Sequence, residues 1–315
     1  MILNIWFYFQ WHLGFCSESY TPLKRGFDTY YGLFTGDEDV TQKHNYDQHR
    51  TPRKLSPKAK KELKLNKLKR RKLTGNPFKV KLNSKIYSKK AAEIIMSAGK
   101  SDPFFIYVAL FTKSYPKQVR KTSTSGGIKD ARNRDHAVKV AEMEESIANI
   151  VKALKQSGHY DNTVIFFISD NGGGLVPDGG RELNPNYPLR GSKGSMYEGG
   201  TKVPGFVHSP LFQGSGTRYS GIFHVTDILP TILHLGTGGQ GFVPDKSLDG
   251  INQWDALLGK ARPPRHQMVY NIDDNFAPAV LNAPDVEPKF QIAVRENNFK
   301  LIWGSTKMLH RYRFI

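Results

Sequence analysis

The stretch Val164–Gly174 reads V-I-F-F-I-S-D-N-G-G-G. Its β-branched and aromatic run predicts a strand buried on both faces, and we expect this strand to be central in a sheet. Asp170 and Asn171 follow it directly. Ligands of open α/β sheets bind beyond the carboxyl ends of strands, and Ca²⁺ or Mg²⁺ prefers carboxylate and amide oxygens. The alternative is a strand followed by an Asx-type turn that binds nothing, and these residues alone leave both possibilities open.

Helical and strand patterns alternate on the amino-terminal side of this stretch. Residues 84–98 have the pattern of a helix, and an apolar strand follows at Phe104–Phe111. A second helix is predicted at His136–Ser157, where apolar residues recur at three- and four-residue steps. Such alternation predicts a layered α/β fold.

Further motifs surround the central stretch and occur in a fixed order. They read W-H-L-G at Trp11–Gly14, P-L-K-R-G-F-D-T-Y-Y-G at Pro22–Gly32, N-Y-P-L-R-G-S-K-G-S-M-Y-E-G-G at Asn186–Gly200, H-V-T-D-I-L-P-T at His224–Thr231 and L-D-G-I-N-Q-W-D at Leu248–Asp255. Together with S-D-N-G-G they resemble the sulfatase family, specifically its arylsulfatase B-like (N-acetylgalactosamine-4-sulfatase-like) branch. The resemblance covers nearly the whole chain except residues 1–9 and about 41–82. It implies an alkaline phosphatase-like α/β sandwich with a mixed central sheet.

The resemblance also implies roles for four residues. His12 would be the active-site histidine beside the sulfate, and Lys193 the cation that contacts the substrate sulfate. Asp170 and Asn171 would be ligands of Ca²⁺. An ammonium suits a tetrahedral oxyanion, because it is a compact point charge. We therefore expect His12, Asp170, Asn171 and Lys193 to converge on one cleft.

Several positions depart from the family pattern. The family converts the cysteine of a Cys-x-Pro-Ser-Arg motif into its formylglycine nucleophile, but Cys16 begins C-S-E-S-Y, with Glu18 and Tyr20 where Pro and Arg belong. The paired aspartates of the family's first strand are also missing, and Gln10 and Ser114 replace a lysine and a histidine. The resemblance thus implies a sulfuric ester hydrolase that acts on sulfated glycans. We expect this chain to be truncated at its amino terminus and inactive alone.

Positive charge is concentrated in one segment. The formal net charge is +18, and residues 50–72 hold twelve Lys or Arg against one acid, a net of +11 that leaves 18 − 11 = +7 for the remainder. Within the basic region 41–82 we favour a disordered insertion, with affinity for polyanions as the alternative. Nucleic acid is disfavoured as a partner, because no aromatic residues are interleaved for base stacking.

The predicted domains are a sulfatase core at 1–235 and a glycine-rich linker with the start of a smaller domain at 236–315. Strands are predicted there at Gln291–Val294 and Phe299–Trp303. No span is apolar enough for a membrane helix, and the apolar amino terminus lacks the basic residue and cleavage site of a signal peptide. By resemblance the protein is lysosomal or secreted. Two alternatives to a hydrolase fragment remain: a non-catalytic protein that binds acidic polysaccharide, and a phosphoryl-transfer relative.

Overall fold

The computed structural model describes part of the chain, in two compact units. The units are residues 1–160 and 161–315, and each is described by itself. The described residues are 4–11, 13–14, 16–33, 84–110, 131–174, 176–178, 181–183, 186–212, 216–239, 248–273 and 291–304. His12, Ser114 and the basic region 41–82 lie outside them, so the expectations for those residues stay predictions.

The first unit contains a parallel sheet of strands β1 (Asn4–Gln10), β2 (Thr29–Leu33) and β3 (Phe104–Val108). The order is β2-β1-β3, so β1 is the middle strand. The β3 prediction is confirmed, although the strand ends three residues earlier than expected. β1 was not predicted. Its apolar sequence suits a strand with a neighbour on each side.

Two helices of this unit pack against each other. They are α1 (Ser84–Ser97) and α2 (Ala131–Ser157). Both predictions are confirmed, and α2 begins five residues before the predicted start at His136. Tyr87 of α1 is buried against Tyr31, Ile106 and Val108, so α1 covers the parallel sheet.

The stretch Val164–Gly174 lies near the start of the second unit. Strand β4 (Ile165–Ile168) pairs antiparallel with β7 (Gly205–His208), and the hairpin β5 (Val176–Asp178) and β6 (Arg181–Leu183) lies between them in sequence. The strand prediction is confirmed. Within this unit, however, β4 has one described neighbour, its side chains are half-buried, and Ile168 is 41% exposed. The described part of the unit therefore does not show the expected central, doubly buried strand.

The rest of the second unit combines short helices with an antiparallel sheet. Its elements are α3 (Glu198–Thr201), α4 (Ile228–Gly236), α5 (Trp254–Leu257), β8 (Gln267–Asp273), β9 (Gln291–Glu296) and β10 (Phe299–Gly304). β9 lies between β8 and β10, and the two predicted carboxy-terminal strands are confirmed as β9 and β10. Parallel and antiparallel strands thus occur with helices, and the predicted mixed α/β class is confirmed. The predicted domain boundary at residue 235 stays a prediction.

Candidate functional site

The loop after β4 presents the predicted metal ligands at the carboxyl end of the strand. Asp170 is exposed and its Oδ1 accepts a 2.9 Å hydrogen bond from the Asn171 N–H, one residue further on, whereas an Asx-type turn would bond the residue after that. The Asn171 amide nitrogen donates to the Gly172 carbonyl at 2.9 Å, and the amide oxygen has no part in that bond. Asp170 Oδ2 and Asn171 Oδ1 take no part in these two hydrogen bonds, so the geometry is compatible with the ligand hypothesis.

A second loop, Asn186–Tyr197, is bound to the first through backbone hydrogen bonds. The Lys193 N–H donates to the Gly173 carbonyl at 3.1 Å, and Gly172 donates to the carbonyl of Gly200 in α3, which follows the second loop directly, at 3.0 Å. Asn186 reinforces this contact, because its side chain accepts from the Gly173 N–H at 2.8 Å and donates to the Gly173 carbonyl at 2.9 Å. The loops that carry Asp170, Asn171 and Lys193 are thus directly connected.

Glycines make this close approach possible. A Cβ on Gly172 would lie 1.8 Å from the Gly199 carbonyl oxygen, and one on Gly199 would lie 2.2 Å from that of Gly191. Gly191 has φ +89, a conformation that favours glycine. These glycines therefore allow the backbones to pack closely against one another.

Lys193 is exposed in the second loop, and Arg190 of the same loop stacks on Tyr197 with its Cζ 4.2 Å from the ring centroid. An exposed ammonium on one loop, with an exposed carboxylate and an amide on the loop connected to it, could bind an anion together with a divalent cation. His12 lies in the other unit and outside the described residues, so its convergence with this loop pair stays a prediction. Cys16 is exposed, and no disulfide within residues 1–315 is possible because it is the one cysteine in that sequence.

Glu198 connects the second loop to the carboxy-terminal sheet. Its carboxylate accepts from Lys300 Nζ at 2.9 Å and lies 3.5 Å from Arg295 Nη1. Lys300 also donates to Thr201 Oγ1 at 3.1 Å. Burial alone would raise the pKa of Glu198, but the hydrogen bond and charge of Lys300, with help from Arg295, hold it below its ordinary value.

A buried polar network explains two of the other motifs. Asp227, fully buried, accepts from Arg265 Nε at 2.9 Å and from Gln253 Nε2 at 2.9 Å. The carboxylate also accepts hydrogen bonds from the backbone N–H groups of His224, at 3.0 Å, and Ile251, at 2.8 Å. The motifs at His224–Thr231 and Leu248–Asp255 thus meet around one carboxylate, where they stabilise the fold.

The network also shifts the ionisation of its members. Burial opposes the charge on Asp227, but the hydrogen bonds from Arg265, the backbone and Gln253 outweigh it and lower the pKa of Asp227. Burial, followed by the positive charge of Arg265, lowers the pKa of His224. His224 is therefore held neutral further into the acidic range than an exposed histidine.

The residues present fit a divalent cation only in part. Asp170 and Asn171 supply oxygen donors of the right kind, yet the described residues contain no group of three His, Cys, Asp or Glu side chains arranged to hold a metal. Ca²⁺ takes six to eight oxygen ligands, so the pair alone is a partial site.

Comparison with known proteins assigns the family. The sulfatase family model matches residues 4–238 of this chain. The chain therefore belongs to the sulfatase family. The match begins at residue 4, so our expectation that residues 1–9 have no counterpart in the family is wrong for residues 4–9, which form most of the middle strand β1.

Individual relatives agree with this assignment. Arylsulfatase J of Mus musculus is 31% identical over 303 residues, which cover 94% of this chain and 48% of that protein. N-acetylgalactosamine-6-sulfatase of Homo sapiens is 29% identical over 260 residues, 79% of this chain and 45% of that protein. The chain thus spans about half the length of these curated relatives.

Solved structures confirm the alkaline phosphatase-like fold. The crystal structure of Ps i-CgsB in complex with k-i-k-neocarrahexaose has a TM-score of 0.65 and 27% identity, covering 95% of this chain and 62% of that one. The PsFucS1 sulfatase from Pseudoalteromonas sp. shares the fold with a TM-score of 0.56 and 23% identity, covering 95% and 58%. No helix within the described ranges is both long and apolar enough to cross a membrane.

Proposed function

We propose that this chain supplies the sulfate- and metal-binding side of a sulfuric ester hydrolase that acts on sulfated glycans. The observation that supports it is the hydrogen bond from the Lys193 N–H to the Gly173 carbonyl, which holds the lysine loop against the loop of Asp170 and Asn171. A cation for the sulfate and oxygen donors for a metal therefore belong to one connected structure. Membership of the sulfatase family gives this arrangement its chemical interpretation.

Each residue has a separate task in this proposal. Lys193 binds a sulfate oxygen and offsets negative charge that develops on it. Asp170 and Asn171 hold one side of a divalent cation, Ca²⁺ by family resemblance. When bound, the cation would polarise the sulfate and activate the nucleophile. His12 would face the same sulfate.

The substrate class rests on the relatives. One is named as an N-acetylgalactosamine-6-sulfatase, and one solved relative is in complex with k-i-k-neocarrahexaose. We propose that the substrate of this chain is also a sulfated glycan. We further propose that the chain belongs to the arylsulfatase B-like branch and that the protein is lysosomal or secreted.

The residues of this chain lack the family's nucleophile motif. Residues 1–315 contain no Cys-x-Pro-Ser-Arg, and Cys16 stands in a different sequence context. A sulfate ester needs an activated nucleophile for hydrolysis. The purified chain should therefore release no phenol from a chromogenic aryl sulfate in excess Ca²⁺. Turnover that disappears in Asp170→Ala would show that a complete site exists in this chain. An in-frame Cys-x-Pro-Ser-Arg in the transcript upstream of Met1 would support the proposal that the chain is a fragment.

Binding measurements test the proposed site without requiring turnover. Calorimetric titration of Ca²⁺ into the chain should give weak binding that Asp170→Ala reduces at least about tenfold, because even changes to outer-shell partners of metal ligands cost about that much. Sulfate binding in the presence of Ca²⁺ should fall in Lys193→Ala. Asp161→Ala and Lys260→Ala, at exposed positions, are the matched controls. Equal affinities in all variants would contradict the proposal.

The charge of residues 50–72 favours a second candidate, a non-catalytic protein that binds acidic polysaccharide. The segment lies outside the described residues, and its net charge of +11 attracts polyanions whatever its conformation. Retention on heparin should fall steeply with salt, since exposed charges are screened, and deletion of residues 50–72 should remove it. Unchanged retention after the deletion would rule out this candidate.

A further inference from the structure

Helix α3 has only four residues, too few for a helix to be stable by itself. Contacts with the rest of the second unit must therefore fix its position. On one side it touches both loops of the candidate site, and on the other it is held by the carboxy-terminal sheet. We propose that Glu198 and Lys300 are positioning residues, whose ion pair fixes α3 and, through α3, the loops that carry Asp170 and Lys193.

The contact between α3 and the two loops is made by backbone atoms. The Gly199 N–H donates to the Arg190 carbonyl at 2.7 Å, and the Gly200 carbonyl accepts from Gly172 at 3.0 Å. A Cβ on Gly200 would lie 2.4 Å from the Ser192 carbonyl oxygen. A displacement of α3 therefore displaces both loops, because no flexible side chain lies between them to absorb the movement.

The contact between α3 and the sheet is made by charged side chains from adjacent strands. Lys300 of β10 donates to both ends of α3, at Glu198 and at Thr201, and its side chain is only 11% exposed. Its Nζ also lies 3.7 Å from the ring centroid of Tyr270, on β8. Arg295 of β9 approaches Glu198 from the neighbouring strand. This half-buried cluster has the geometry to hold α3 in one position.

The charges of Lys300 and Glu198 also contribute to fixing the position of α3. Burial lowers the pKa of Lys300 and outweighs the opposing effect of Glu198, since Lys300 also faces the positive charge of Arg295. The charged lysine is thus stabilised largely through Glu198. Removing either charge leaves the other without its main partner, and a charge left alone in a half-buried site costs more than an exposed pair contributes.

Hydrogen exchange measures the proposed effect directly and does not depend on any ligand. In Glu198→Gln and in Lys300→Met, the amides of Gly172, Gly173 and Lys193 should exchange at least about tenfold faster, because they are hydrogen-bonded within the loop pair that α3 supports. Amides of α4, in the same unit, should keep their protection. Lys300→Arg retains a cation and should restore most of the protection lost in Lys300→Met. The control Lys90→Met removes an exposed pair with Glu93 and should change neither region.

The outcomes separate this inference from the proposed function on which its catalytic meaning rests. Unchanged exchange of the loop amides in both variants would overturn the positioning role. Faster exchange in α4 to the same extent would also overturn it, because Glu198 and Lys300 would then stabilise the whole unit. A third outcome is that the loop amides exchange faster, while Asp170→Ala and Lys193→Ala leave the affinities for Ca²⁺ and sulfate unchanged. That outcome would support the positioning role and refute the proposed function.

Discussion

The side chain of Asn186 pairs with both polar groups of the Gly173 backbone. Its Oδ1 accepts from the Gly173 N–H at 2.8 Å, and its Nδ2 donates to the Gly173 carbonyl at 2.9 Å. Nδ2 lies 3.2 Å from the Gly191 carbonyl as well. One amide therefore ties together the loop of the proposed metal ligands and the loop of the proposed sulfate-binding lysine.

Replacement of Asn186 by Ala should loosen this connection. The variant removes the partners of a backbone donor and acceptor, which costs about 1–3 kcal/mol when such groups are left unsatisfied. Chemical denaturation measures the free energy of unfolding. Asn149→Ala, at an exposed position of α2, is the control and should not be destabilised. Equal stabilities would mean that water replaces the amide without loss.

Gly172→Ala and Gly174→Ala form a matched pair in the same loop. A Cβ at Gly172 would lie 1.8 Å from a backbone oxygen, whereas one at Gly174 would meet nothing within 4 Å. Gly172→Ala should therefore lower the free energy of unfolding by about 1–3 kcal/mol, the usual cost of overpacking. Gly174→Ala should stay within about 0.5 kcal/mol of the parent. Similar losses in both would contradict the close packing of this loop against α3.

Asp227→Asn should destabilise the second unit strongly. The carboxylate is fully buried against Arg265, and removal of one partner of a buried ion pair leaves an uncompensated charge that costs about 3–5 kcal/mol. Asp255→Asn, at an exposed position of the same unit, should change the unfolding free energy by less than about 0.5 kcal/mol. A small effect at Asp227 would mean that Arg265 finds another acceptor.

Stability should fall as the pH is lowered below the ordinary histidine pKa of about 6.5, partly because of His224. The pKa of His224 is lowered in the fold, so the unfolded chain binds protons first as the pH falls and is stabilised relative to the folded one. The loss begins near that pKa and levels off below the folded value. His224→Gln should reduce the slope of unfolding free energy against pH in this window, and the exposed control His266→Gln should not. A slope that His224→Gln leaves unchanged would assign the pH dependence to other groups.

Local sequence determined several regular elements of the two units. The apolar runs at Ile165–Ile168 and Phe104–Val108 and the periodic pattern of α2 identify strands and helix because these signals depend on near neighbours. The order of the motifs indicated the family, which the matching family model confirms. The middle strand β1 was missed, since its short apolar sequence resembles a terminal segment and acquires its meaning only from β2 and β3 on either side.

Tertiary structure alone decided which polar residues support the site. Lys300 and Glu198 are 102 residues apart, and Arg265 and Asp227 are 38 apart, so no local pattern predicts either pair. Asn186 lies in a motif that the sequence identifies, but only its contact with Gly173 shows that it connects the two loops. The chemistry of a side chain follows from its residue type alone, so Asp170, Asn171 and Lys193 could be proposed as ligands from the sequence. Which groups meet across the fold depends on how the chain folds back on itself, and burial then determines how strongly their charges interact.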